Sequence, residues 1–249
     1  MKTIYSIIHK DIYRDGKKIY GELYVPETDS FPLAIFCHGL GGVHEGSKDF
    51  AKLLSENGIA TYIFDFMGGS YDSKSDGKTT EMSVLSEAAD LEAVIDELKK
   101  DERITKIFLA GKSQGAFVST IVGSRRPGQI AGIIGLYPGF ILSDAIKEEM
   151  KKFDEIPETY ELLWLKVGKM YLEDLLKTDI YEMMKDYDGD VLLVHGDEDE
   201  IVTLESVEKA NNAFPNSELV VLKGAKHGFH GPERQEVLDM VLNFIQSHI

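Results

Sequence analysis

The chain has 249 residues, 43% of them hydrophobic, which is enough to bury one large core, and its 27 basic against 43 acidic side chains leave a net charge of −16. That charge repels nucleic acid and anionic membrane surfaces, so neither is expected as a partner. No window approaches the roughly 20 apolar residues a membrane helix needs, and Tyr5, Ser6 and His9 interrupt the first apolar stretch well short of a signal-peptide core.

Thr3 to His9 alternate as a strand does, Asp15-Gly16 marks a tight turn, and Lys18 to Val25 runs up to Pro26, a pattern that predicts an antiparallel hairpin. The pattern then changes to short apolar strands separated by helical periodicity. Strands are predicted at Leu33 to Cys37, Ala60 to Asp65, Lys106 to Ala110, Ile130 to Leu136, Val191 to His195 and Leu219 to Leu222. Helices are predicted at Gly46 to Glu56, Val84 to Lys100, Gln114 to Ser124, Ser206 to Ala213 and Arg234 to Ser247. The lone cysteine, Cys37, ends the apolar run Ala34-Ile35-Phe36 and reads as a buried strand residue. With no internal disulfide to form, it fits a reducing compartment, and a cytoplasmic location is expected. Alternating strands and helices predict an α/β fold: a mostly parallel twisted sheet with helices on both faces and the hairpin at its N-terminal end. One domain over residues 1–249 is expected. Phe140 to Tyr187 departs from the alternation; rich in Glu, Lys, Leu and Met and holding the only tryptophan, it reads as helices without an intervening strand. It is expected to form a helical cap, inserted at about 140–187 and folded over the strand ends.

In such sheets reactive groups collect in the loops at the carboxyl ends of the strands. One of them, Gly111-Lys112-Ser113-Gln114-Gly115, joins a predicted strand to a predicted helix. Gly-x-Ser-x-Gly in that setting is a nucleophile elbow, a strained turn that needs glycine on both sides. Gly111-Lys112-Ser113 also matches the tail of a phosphate-binding P-loop, but the position that needs glycine is Lys106, and Ile107 to Ala110 are strand-like.

A serine hydroxyl is a weak nucleophile until an imidazole takes its proton, with a carboxylate fixing the imidazole tautomer. On an elbow of this kind the partners follow in the order serine, acid, histidine. His227, His230 and His248 come after a suitable acid, and His227 is favoured because it stands just beyond a strand between Gly224 and Gly228. The acid should come from His195-Gly196-Asp197-Glu198-Asp199. Asp199 is favoured, since Asp197 directly follows a glycine, where aspartate commonly serves the turn itself. Backbone N–H groups of Gln114 and Leu40, the latter in His38-Gly39-Leu40-Gly41-Gly42, are the expected donors to the oxyanion. No metal or organic cofactor is implied.

Taken together, the His38 loop, the Ser113 elbow, the His195 loop and Gly224-Ala225-Lys226-His227 resemble the α/β-hydrolase superfamily over nearly the whole chain. Within it the chain is similar to the bacterial feruloyl (cinnamoyl) esterases, on the Ser-Gln-Gly turn, Ser75-Asp76-Gly77-Lys78 ahead of a helix, and the cap segments Tyr171-Leu172 and Ile180-Tyr181-Glu182. It departs from that group at Lys112, Ala116 and Met67-Gly68-Gly69. The resemblance implies a serine carboxylesterase working through an acyl-enzyme on a small-molecule ester, with a hydroxycinnamoyl acyl group favoured. It also implies a tyrosine offered by the cap, Tyr171, with Trp164 and Phe140 as further pocket walls. A short-chain or monoacylglycerol esterase is the alternative, and a non-catalytic binding module on the same fold is a third reading. Oligomeric state is not written in these features, and a homodimer is left open.

Overall fold

The computed structural model describes residues 2–249. Its first strands are β1 (Tyr5–His9), β2 (Ile12–Arg14), β3 (Lys17–Ile19) and β4 (Gly21–Pro26). β1 and β4 form the expected antiparallel pair, with Tyr5 opposite Pro26 and His9 opposite Glu22. Between them β2 and β3 make a separate two-stranded ribbon. Its turn places Asp15 and Gly16 at φ 53° and 76°, the left-handed pair that a two-residue hairpin loop requires and Asp-Gly supplies readily.

The alternating part follows: β5 (Phe31–Cys37), α1 (Lys48–Glu56), β6 (Ala60–Phe64), α2 (Val84–Leu98), β7 (Ile104–Lys112), α3 (Gln114–Arg125) and β8 (Gly132–Leu136). Beyond β8 come α4 (Leu142–Met150), β9 (Thr159–Leu162), β10 (Leu165–Gly168), α5 (Lys169–Lys177) and α6 (Ile180–Met184). The chain closes with β11 (Asp190–Gly196), α7 (Leu204–Ala213), β12 (Ser217–Leu222) and α8 (Glu233–Ser247). Eight strands form one sheet in the order β1-β4-β6-β5-β7-β8-β11-β12. β4 meets β6 antiparallel, and every pairing from β6 to β12 is parallel.

Every residue of β5 is buried because both faces of the sheet are covered. Leu33, Ile35 and Cys37 belong to a core shared with α2 and α3, whereas Ala34 and Phe36 join Phe50 and Leu54 of α1 and Val241 and Ile245 of α8. The two-residue period of the strand thus serves two separate cores.

The segment after β8 holds helices, as expected, but also an antiparallel hairpin, β9 with β10, that the helical reading missed. Its residues alternate with period two: Tyr160 and Leu162 are half-buried between exposed Thr159 and Glu161, and Leu165 and Val167 are buried on either side of exposed Lys166. The turn contains Leu163 at φ 55° and Trp164. Polar bonds tie this segment to the loop after β6. Thr79 Oγ1 donates to the Lys166 carbonyl at 2.6 Å, the Lys166 N–H donates to Tyr71 Oη at 3.0 Å, and Ser83 Oγ donates to Asp174 Oδ2 at 2.5 Å.

Candidate active site

β7 carries the chain directly into Ser113, which stands at φ 50° and ψ −117° before α3 begins. Such a conformation costs a non-glycine residue roughly 1–3 kcal/mol and persists only when its surroundings enforce it. Here the Ser113 N–H donates to the Leu136 carbonyl at 3.0 Å, and its own carbonyl accepts from Ala116 N–H at 3.0 Å and Gly139 N–H at 2.9 Å. A Cβ at position 115 would run into the Cys37 carbonyl, and one at position 111 into the backbone of Ala116. Both flanking glycines are therefore demanded by close packing of the turn on β5 and on its own helix.

His227 lies after β12 and holds Nδ1 2.7 Å from Asp199 Oδ2. The other Asp199 oxygen accepts the N–H groups of Ile201 and Val202, both at 2.9 Å. Burial pushes the Asp199 carboxyl up, but the His227 bond and the two N–H donors outweigh it and hold the group below the usual carboxylate range. Asp197 instead takes the Gly224 N–H at 2.5 Å and so pins the neighbouring loop. The same acid loop is held by His195, whose Nε2 lies 3.0 Å from the Val202 carbonyl. Desolvation lowers the His195 pKa, which favours the neutral ring. The His227 ring rests edge-on against Tyr137, 4.7 Å between centroids, and Tyr137 itself sits at φ 39°.

Ser113, His227, Leu40, Gln114, Tyr137 and His230 all line one cavity of about 820 Å³. Among the described residues neither the Leu40 nor the Gln114 N–H has an acceptor in the protein. The loop carrying Leu40 is braced by His38: Phe66 N–H donates to its Nε2 at 2.9 Å, so the ring proton lies on Nδ1, which donates to the Gly39 carbonyl at 2.9 Å. The Gln114 side chain points away from the cavity into a buried chain of bonds. Its Nε2 donates to Glu87 Oε2 at 2.7 Å, and its Oε1 accepts from Tyr171 Oη at 2.5 Å. Burial raises the Glu87 pKa to about 8, against the lowering effect of Gln114, so this carboxyl is protonated at neutral pH.

The expected substrate contacts divide. Trp164 lines the cavity, 58% exposed, with its indole packed against Gly41 of the Leu40 loop. Tyr171 and Phe140 do not line it: Tyr171 is fully buried with its hydroxyl committed to Gln114, and Phe140 is fully buried against Phe214. Both sit in the apolar core, Tyr171 on the inward side of α5 and Phe140 in the turn before α4, which corrects the expectation of Tyr171 as a substrate contact and of Phe140 as a pocket wall. Sequence reasoning missed Glu87 altogether. Its signal was a carboxylate on the apolar stripe Val84, Ala88, Leu91, Val94, Ile95, Leu98, a position that is buried only when the acid has a partner.

Among the described residues His44, Glu45 and Asp65 bring three metal-type donors within 4.8 Å. Asp65 already accepts the backbone N–H and Nδ1 of His44 at 2.7 and 2.8 Å and the Lys74 N–H at 2.9 Å, and Glu45 is paired with Lys74 at 2.7 Å. The cluster is a hydrogen-bonded brace for the loops beside the cavity. No described helix is long and apolar enough to cross a membrane.

The parallel sheet and the strained serine at its carboxyl edge define the class: an α/β-hydrolase-fold serine hydrolase. The chain belongs to the family described as serine aminopeptidase, S33, whose match runs over residues 30–176, more than half of the chain. Among solved structures it is similar to Est1E from Butyrivibrio proteoclasticus with ferulic acid bound, at 26% identity and a TM-score of 0.88, over 96% of this chain and 98% of that one. The fold is shared by a monoacylglycerol lipase from Paleococcus ferrophilus, at 20% identity and a TM-score of 0.72, over 93% of this chain and 99% of that one. Human monoglyceride lipase is 25% identical over 183 residues, 70% of this chain and 55% of the human protein, so the chain matches little more than half the length of that relative.

Proposed function

We propose that the protein is a carboxylesterase that forms an acyl-enzyme on Ser113. The observation that carries this reading is one cavity lined both by a serine on an enforced elbow and by a histidine whose Nδ1 is 2.7 Å from the buried carboxylate of Asp199. Asp199 holds the His227 proton on Nδ1 and leaves Nε2 free to take the Ser113 proton, to protonate the leaving alcohol and then to activate water. The free N–H groups of Gln114 and Leu40 are suited to the developing oxyanion, where losing one donor costs about 3 kcal/mol. Nucleophile, base and oxyanion donors all come from the chain itself, and a small-molecule ester is the partner this reading requires.

Within esters a hydroxycinnamoyl acyl group is favoured. A cavity of about 820 Å³ with walls from Leu40, Ile141, Leu142, Leu162, Trp164 and Ile201 suits a flat aromatic acid, and the Est1E structure holds ferulic acid. The same apolar walls, with the monoglyceride lipase relationship, support a monoacylglycerol esterase as the second reading. An aminopeptidase is disfavoured: Asp49 is the only carboxylate on the cavity wall among the described residues, and Arg234 already pairs with both its oxygens at 2.8 Å, so its charge is committed to a cation of the chain itself. The test is fluorophosphonate labelling of the wild type and of Ser113→Ala, followed by a panel of methyl ferulate, aryl butyrates and monoglycerides. Labelling that is lost in the variant, with turnover of methyl ferulate, is expected. Absence of labelling in folded wild-type protein refutes the proposal, and fast butyrate turnover with negligible rate on ferulate removes the hydroxycinnamoyl preference.

A further inference from the structure

The cavity has two chemically different walls. The residues after β8 supply an apolar wall, while Lys112, Asp49 and Arg234 gather where the starts of α1 and α8 meet the elbow, with His230 lining the same cavity. Lys112 is only 7% exposed. Its Nζ donates to the Gly46 carbonyl and lies 5.1 Å from the Phe50 ring centre, and among the described residues no carboxylate pairs with it. Arg234 keeps Asp49 for itself through two bonds of 2.8 Å. This wall therefore sets two basic side chains against one carboxylate, and a buried lysine with a single carbonyl partner has donor capacity to spare. Burying such a charge is costly unless an anion completes it.

The leaving alcohol must lie on the imidazole side of the reacting carbon, since His227 protonates it. His230 and Arg234 follow His227 in the chain and line the same cavity, and Arg234 and Lys112 both donate to the Gly46 carbonyl. Resting on the esterase reading above, we propose that Lys112, backed by Arg234, is a specificity-determining residue that receives a carboxylate carried by the leaving alcohol, so that esters of hydroxy acids are preferred over their neutral analogues. The lysine ammonium supplies charge-assisted bonds to the carboxylate, and the Arg234 charge adds to the local potential.

The test is a matched pair, 3-butyryloxybenzoate and 3-butyryloxybenzamide, which share the acyl group and differ in the charge of the leaving phenol. The ratio of their kcat/KM values, anionic over neutral, is measured in the wild type and in Lys112→Met. The ratio is expected to fall about tenfold or more in the variant. Binding of the products to the wild type gives a second readout that needs no variant: 3-hydroxybenzoate should bind more tightly than 3-hydroxybenzamide. Turnover of both esters with an unmoved ratio, or equal binding of the two products, overturns the subsite and leaves the esterase reading standing. Failure of the wild-type protein to hydrolyse this pair, methyl ferulate and simple aryl butyrates alike overturns both.

Discussion

Glu87→Gln isolates the energetics of the buried acid behind the elbow. The glutamine carbonyl can accept the Gln114 Nε2 bond that Glu87 Oε2 accepts now, so the change removes a titration and little else. Burial is the main reason that the Glu87 pKa rises from its ordinary value of 4.5 to about 8. The folded carboxyl thus keeps its proton to higher pH than the unfolded one. Its contribution to stability is fully present below pH 4.5 and is lost progressively as pH rises through 8. At pH 7 the gap spans about 2.5 pH units, or about 3 kcal/mol at 1.36 kcal/mol per unit. A chain of this size moves by roughly 2–4 °C per kcal/mol, so the variant should melt at least about 6 °C above wild type at pH 7. The advantage should grow toward pH 8 and shrink toward pH 5. Melting curves of both proteins from pH 5 to 9 test this. A difference that is flat with pH, or a variant less stable at pH 8, refutes the buried neutral carboxyl.

Asp199→Asn keeps an acceptor for the Ile201 and Val202 N–H groups but no longer fixes the His227 proton on Nδ1; kcat should fall by about 10⁴, and ester kinetics showing less than a tenfold loss would remove Asp199 from the proposed triad. Tyr171→Phe leaves Gln114 Oε1 buried without its donor, which should cost about 1–3 kcal/mol in urea unfolding; an unchanged midpoint would show the bond to be energetically silent. Lys112→Met should stabilise with the opposite pH profile to Glu87→Gln. Burial, with Arg234 next in weight, lowers the Lys112 pKa to about 7 against Asp49, and His38 also faces the lysine. The gain should therefore be largest below pH 7 and fade as pH approaches the ordinary lysine value of 10.5. Melts from pH 6 to 10 check it, and a gain that grows with pH contradicts it.

The parallel strands were legible because buried strands such as Phe31–Cys37 and Asp190–Gly196 are short apolar runs bounded by turn residues. The elbow was legible because its glycines answer a steric demand that a five-residue pattern can carry. Asp199 could be preferred to Asp197 on the argument that an aspartate after glycine serves its own turn, whereas Asp197 in fact accepts from Gly224 of the neighbouring loop, a long-range role that the local argument did not contain. The β9–β10 hairpin was hidden because its turn is Leu163-Trp164 rather than a glycine or asparagine pair, and its Glu and Lys content resembles a solvated helix. Tyr171 was misplaced for a different reason. A tyrosine on an amphipathic helix reads equally as core or as ligand contact, and only the three-dimensional position of Gln114, far away in sequence, decides. Lys112 precedes the serine in plain sight, yet its burial follows from the packing of α1 and α8, which no local pattern encodes.

The anchoring of the β9–β10 hairpin separates what can vary from what cannot. Its base is stitched to the loop after β6 by Thr79 and Tyr71, whereas its tip, Leu163-Trp164, is 58% exposed at both residues and overhangs the cavity mouth. Replacing tip residues should therefore retune which molecules are admitted while the base holds the hairpin in place, the replacements having to respect the left-handed φ of Leu163 and the contact of Trp164 with Gly41. For an engineer or for natural drift, these two positions are a selectivity dial mounted on a fixed bracket.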